Sequence, residues 1–244
     1  MLVLVGTPGG TQAPHSSGQG EAFHSDIYVR GYPRLFRPDD PSDPFHEIYG
    51  RKRAAVLSFF ERFDRMSIVD VGGGPGRLAA PLAAHHDVTH TDISEEMIEQ
   101  ARGRCPPGTR FVQADARQLP FGDGEFDVAL ALDLLCHVPD LLAGIRELAR
   151  VVRPGGTLVF DTTNALPLWV LAYPSYVGPH PRRLINTLAL GGILPEWRRT
   201  VRHDRPSAVR RAIEAAGLTL QRRQGFGRLG LTKWHLWYAV KPRR

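Results

Sequence analysis

Carboxylates set at intervals behind short apolar runs are the residues of this sequence that could do chemistry. Asp70 sits within Ser67–Val71, a β-branched run of the kind that forms a buried parallel strand, and Gly72, Gly73, Gly74 and Gly76 follow it. Arg77 to Ala84 then has helix-forming composition. Strand, glycine turn and helix together make a cradle for a nucleotide-like ligand. Glycines let the backbone turn tightly and approach the ligand, and the helix start offers free N–H groups. Asp92 comes about twenty residues after the turn, at the end of the next apolar run, where a carboxylate can accept from both hydroxyls of a ribose.

Two ligands compete for such a cradle. Gly74-Pro75-Gly76-Arg77-Leu78-Ala79 fits the G-x-G-x-x-A form of the dinucleotide fingerprint. The longer pattern D-x-G-x-G-x-G, from Asp70 to Gly76, points elsewhere: an anion at the strand end repels a pyrophosphate and attracts a cation. On these residues the sequence resembles the class I S-adenosylmethionine-dependent methyltransferases, particularly the small-molecule branch that includes the ubiquinone-biosynthesis enzymes. Arg153-Pro154-Gly155-Gly156 ahead of a strand is similar to the same branch. The resemblance covers about residues 45–160 by specific motifs and the C-terminus by architecture alone. It implies S-adenosyl-L-methionine as cofactor, held by Asp70, Gly72, Gly73, Gly74, Gly76, Asp92, Ile93, Asp115, Ala116 and Leu132. In that family an acidic residue at the place of Asp115 accepts from the adenine amino group. Asp92 has a structural alternative as a helix cap, but Ser94 can fill that role itself.

Methyl transfer needs little covalent help, because a sulfonium is already an activated electrophile; alignment and desolvation are the protein's main tasks. An oxygen or nitrogen acceptor can also need a base. Asp133 and His137, just beyond the fourth strand, are the candidate catalytic residues, although a His at a helix start also packs or caps. The ubiquinone-type enzymes carry Glu-x-x-Glu-His here to hold a metal. This chain has Asp133-Leu-Leu-Cys136-His137, and Cys136 replaces the second hard oxygen ligand. No metal is expected, and the quinone substrate is not carried over.

These residues need a scaffold, and the periodicity predicts one. A helix is expected over Glu47–Phe63, with Arg51, Lys52 and Arg53 on the side opposite its apolar stripe. Strands are expected at Ser67–Val71, Val88–Thr91, Thr109–Gln113, Phe126–Leu132 and Thr157–Phe160. Between and after them come helices to about Arg104, over Leu141–Val152 and over Ser207–Ala216. Leu218–Gln224 and Trp234–Val240 close the chain as a hairpin around Gly225–Gly230. The fold class is α/β: a doubly wound, Rossmann-like, seven-stranded sheet, mostly parallel, with a C-terminal antiparallel hairpin. The expected organisation is a disordered tail over 1–22 and a methyltransferase domain over 23–244. Within the latter, 23–63 forms an N-terminal lid and helix, 64–161 the cofactor core, 162–203 a substrate cap and 204–244 the C-terminal helix and hairpin.

Composition narrows the partners. Hydrophobic residues make 42% and charged residues 23% of the 244, as in soluble globular chains. No apolar run is long enough for a membrane span, and the start lacks the basic flank of a secretory signal. Cys105 and Cys136 give no disulfide framework, so a reducing cytoplasm is expected. The net charge of +6 is concentrated: residues 181–244 hold fifteen basic and three acidic side chains. That asymmetry supports a rival reading as an RNA or other nucleic-acid methyltransferase; a non-catalytic adaptor is the second rival. Against the first, no Asn-Pro-Pro-aromatic tetrapeptide follows the fourth strand; against the second, the glycine loop and Asp92 are intact. The expected partner is therefore a small-molecule methyl acceptor that is natural-product-like, quinone-like or lipid-like, with nucleic acid disfavoured and the chain a monomer or homodimer.

Overall fold

The computed structural model describes residues 39–43, 45–165 and 202–243. The expected tail, the aromatic segment up to residue 38 and most of the expected cap lie outside them, as do Trp169, Tyr173, Tyr176 and Trp197.

Helix α1 (His46–Phe60) leads to β1 (Ser67–Val71), a short α2 (Ala79–Ala83), β2 (Asp87–Asp92), α3 (Glu95–Arg102), β3 (Arg110–Gln113) and β4 (Phe126–Ala131). A 3-10 turn at Leu135–His137 and helix α4 (Leu141–Val151) follow, then β5 (Val152–Asn164), β6 (His203–Asp204), α5 (Pro206–Ala215), β7 (Thr219–Arg228) and β8 (Leu231–Val240). The sheet order is β3-β2-β1-β4-β5-β8-β7, with the two-residue β6 pairing in parallel beside β5. Strands β1 to β5 are parallel, and β8 runs antiparallel to both β5 and β7. The expected doubly wound sheet and C-terminal hairpin are therefore present, with β6 as an eighth strand.

The order reverses between β1 and β4, which opens a crevice at the carboxyl ends of those strands, the place where such sheets bind ligands. Both faces of the sheet are covered, as a parallel sheet requires. Side chains alternate along each strand, so Ile68, Val128, Leu130 and Leu236 meet Val56 and Phe60 of α1 and Leu82 of α2. Val69, Val71, Ala129 and Phe160 point the other way, onto Ile145 and Leu148 of α4 and Val209 and Ile213 of α5. Each of these side chains larger than alanine contributes roughly 1.5–3 kcal/mol by leaving water.

Three element lengths differ from expectation. Helix α1 stops at Phe60 and Phe63 is exposed. β5 begins five residues early because Gly155 N–H bonds Lys241 O at 2.7 Å and Lys241 N–H bonds Gly156 O at 3.0 Å. Arg153 to Gly156 thus joins the sheet as an irregular strand start. In the final hairpin the six-residue loop shrinks to Leu229 and Gly230, with φ of 51° and 75°. Positive φ at two successive residues gives the turn that matches strand twist.

Candidate active site

The glycine turn follows β1 and lines a cavity together with Asp70, Asp92, Ile93, Ala114, Asp115, Ala116, Leu132, Asp133 and His137. Twelve site residues were singled out in the sequence, and eleven of them line this one space. Gly76 does not. A Cβ there would lie 2.9 Å from the Ala101 side chain, and φ is 75°, so this glycine lets the loop pack onto α3. Gly74 has φ of 55° and open space where a Cβ would stand, leaving its backbone exposed to the cavity.

Asp92 ends β2. Its Oδ2 accepts from Gly74 N at 2.9 Å and its Oδ1 from Ser94 N at 2.9 Å, which fixes the carboxylate beneath the loop. Burial raises its pKa above the ordinary value, against the lowering by those two N–H groups. Ser94 is the N-cap of α3, accepting from Met97 N, so the cap role does not fall to Asp92. Asp115 is gripped bidentately by Arg117, which also lines the cavity. An adenine amino group at Asp115 would share the carboxylate with that guanidinium.

The largest departure from expectation is Lys52. Predicted on the solvent side of α1, it is fully buried, with Nζ 2.7 Å from Asp133 Oδ1 and 2.5 Å from Asp161 Oδ2. Its ammonium also stands 5.1 Å from the Tyr49 ring centre and 5.0 Å from that of Trp234. Burial disfavours this charge, but the two carboxylates outweigh it and hold the Lys52 pKa above its ordinary value. Asp161 is pushed up to about 6 by burial, with Lys52 pulling the other way and Asp133 adding to the rise. Asp161 Oδ1 further accepts the Asp133 N–H at 2.7 Å. Asp133 itself has φ of 54°, a conformation non-glycine residues rarely adopt. Lys52 and Asp161 therefore clamp a strained residue at the edge of the cavity.

The turn bearing His137 is held from behind. Arg202 donates through Nη2 to Leu135 O at 2.8 Å and through Nη1 to Val138 O, and its backbone N–H bonds Cys136 O at 2.6 Å. Cys136 is buried, its thiol donates to Asp133 O at 3.6 Å, and burial pushes its pKa well up. Among the described residues no group of three His, Cys, Asp or Glu side chains is gathered to hold a metal ion. Tyr49, from α1, also faces the cavity, and burial raises its phenol pKa.

The site as a whole is an open, mostly parallel sheet with a glycine loop at its reversal point, and with Asp70 and Asp92 at or near the ends of β1 and β2. Residues 69–160 match the family model described as "Methyltransferase domain". The 27-O-demethylrifamycin SV methyltransferase of Amycolatopsis mediterranei is 42% identical over 138 residues, covering 53% of this chain and 50% of that protein. An O-methyltransferase of Pyrenophora dematioidea is 35% identical over 128 residues, covering 50% and 48%. The chain thus spans about half the length of the curated relatives it matches. Among solved structures, magnesium protoporphyrin IX methyltransferase from Synechocystis with bound S-adenosylhomocysteine superposes with a TM-score of 0.67 at 19% identity. The match covers 93% of this chain and 100% of that one and establishes the shared fold.

Proposed function

We propose that this chain is an S-adenosylmethionine-dependent methyltransferase acting on a small-molecule acceptor. The observation that carries the reading is one cavity whose lining joins the glycine loop, Asp70 and Asp92 to Tyr49, Asp133 and His137. Its buried carboxylates suit a cationic ligand and oppose a pyrophosphate, and the bare Gly74 backbone leaves room for close approach. When bound, S-adenosylmethionine supplies a methyl group on a sulfonium. Asp70 would take the ammonium of its amino-acid end, Asp92 its ribose hydroxyls and Asp115 its adenine amino group, while Ile93, Ala116 and Leu132 would give apolar walls. His137 accepts the proton of an oxygen or nitrogen acceptor, and Asp133, fixed by Lys52, orients it. No metal takes part, because Cys136 stands where a second carboxylate ligand would be needed.

The relatives named above include a methyltransferase of an antibiotic and one of a porphyrin, both small molecules. The basic C-terminal residues give the nucleic-acid reading little support. Arg222 stacks on Tyr238 and Arg223 on Trp237, whose side chains belong to opposite faces of the sheet, so the pair does not build one stripe. Among the described residues no helix is long and apolar enough to cross a membrane. A reducing cytoplasm is the proposed location, from a sequence with two cysteines. A monomer or homodimer is the proposed assembly, and 23–244 the proposed catalytic domain.

Calorimetry tests the cofactor: S-adenosylhomocysteine binds, NAD binds far more weakly, and Asp92→Ala loses on the order of 1–3 kcal/mol of binding. Labelled cofactor offered to a metabolite extract and to RNA tests the acceptor. Label entering a small molecule, at a rate unchanged by chelator, is expected; label entering RNA over many turnovers at about 150 mM salt overturns the reading.

A further inference from the structure

We propose that His90 is the counter-ion of Asp70 and a positioning residue for the cofactor, so that cofactor binding displaces its charge, expels its proton and ties affinity to pH. The inference rests on the cavity being the S-adenosylmethionine site, and its test separates the two.

Asp70 and His90 face each other in the parallel register of β1 and β2. They are 2% and 0% exposed, with His90 Nδ1 3.4 Å from Asp70 Oδ2. The other ring nitrogen, Nε2, is buried with no hydrogen-bond partner among the described residues. Asp70 thus presents one carboxylate to two neighbours: the imidazole behind it and the cavity in front, which it lines. The glycine loop rests on this pair. A Cβ at Gly73 would stand 2.3 Å from Asp70 Oδ2 and 2.5 Å from His90 Cε1, so the loop, carboxylate and imidazole occupy one tightly filled space.

Histidine is the side chain whose charge changes near neutral pH. Burial opposes the imidazolium, but Asp70 beside it, Asp92 further along β2 and the Gly74 carbonyl outweigh burial and raise the His90 pKa. From β3 the group packed against it is the uncharged Phe111 ring, 5.7 Å between centroids. Beyond α3 the Cys105 thiol faces Asp70, and both burial and that carboxylate hold it protonated. His137 lines the same cavity. While His90 is charged, the Asp70–His90 pair is close to neutral and a ligand's ammonium gains little from it. With His90 neutral, the whole charge of Asp70 is available. An ammonium arriving at Asp70 lowers the His90 pKa, and the N–H proton of the imidazolium passes to solvent. The sign follows: affinity rises with pH between the His90 pKa of the complex and that of the free protein, and is flat outside that interval.

Calorimetry of S-adenosylhomocysteine binding to the full chain reads this directly. Two buffers of different ionisation enthalpy count the protons, and the range from about pH 5.5 to about pH 7.5 stays below loss of a typical α-amino proton. The expected result is net proton release and a Kd that falls by about tenfold over that range. The dependence of His90→Asn should be smaller than wild type by at least about threefold, whatever slope persists belonging to the other titratable groups of the cavity. Should that variant not fold, NMR of ring-labelled histidine in the wild type, with His90 assigned by its contact to Phe111, reports whether the ligand lowers the titration midpoint. Binding that releases no proton, or equal slopes in wild type and His90→Asn, or an unmoved midpoint, overturns the role of His90 and leaves the cofactor reading standing. No binding at any pH overturns the cofactor reading itself.

Discussion

Lys52 is a cation placed between two carboxylates that the chain supplies 81 and 109 residues later. Such a cluster contributes little net stability when complete, yet removing one partner leaves charge buried and unpaired. Lys52→Met is therefore expected to lose about 3–5 kcal/mol in urea unfolding, with Asp161→Asn in the same chain restoring part of it. Loss below about 0.5 kcal/mol would mean that Asp133 and Asp161 reach water without the lysine. The signal for this residue was present in the sequence. Ile48, Lys52, Val56 and Phe60 stand four apart, on one buried stripe of the helix. The flanking Arg51 and Arg53 made the run look like a solvated face, and nothing local announces partners so distant in sequence. The loop glycines and Asp92 were legible because their chemistry depends on spacing within one β-α-β unit. His90 was not, because only the register of β1 against β2 brings it to Asp70.

At the scale of elements, type and order were readable and lengths were not. Helix α4 begins where a cap and an apolar period coincide: Asp140 Oδ1 accepts from Leu142 N at 2.9 Å and Ala143 N at 3.1 Å. Asp140→Ala should cost about 1 kcal/mol, seen as a lower urea midpoint with an unchanged slope. An unchanged midpoint would assign the helix start to the packing of Leu148 and Ile145 alone. The hairpin was misjudged in extent because Gly225 and Gly227 read as loop residues. In the structure they serve close approach within the ladder: a Cβ on Gly227 would lie 1.8 Å from Leu231 O. β5 was misjudged for a related reason. Arg-Pro-Gly-Gly reads as a stop, yet its backbone finds Lys241 from the far end of the chain, a pairing no local window contains.

For the whole molecule, two buried groups pull stability in opposite directions as pH changes. Burial, aided by Arg223, lowers the His235 pKa to about 4, and neither ring nitrogen has a hydrogen-bond partner among the described residues. A group with a depressed folded pKa contributes stability above its unfolded value, about 6.5, that is lost as pH falls toward the folded one. Asp161, raised to about 6, contributes most below its unfolded value, about 4, and loses that contribution as pH rises. His235→Leu removes the first and leaves the second. Thermal unfolding of this variant between about pH 6.5 and pH 4.5 should therefore show stability holding or rising with acid where the wild type declines. Parallel curves would place the acid sensitivity elsewhere.

The crowding around Gly73 has an evolutionary consequence. Positions 70, 73 and 90 occupy one volume, so position 73 can gain a side chain only if a neighbour gives way. A relative carrying any side chain at 73 must have surrendered the imidazole at 90 or turned the acid at 70 aside. Divergence at position 73 therefore proceeds by compensated double changes, and a side chain there beside an intact 70 and 90 should be scarce among descendants that still hold the ligand.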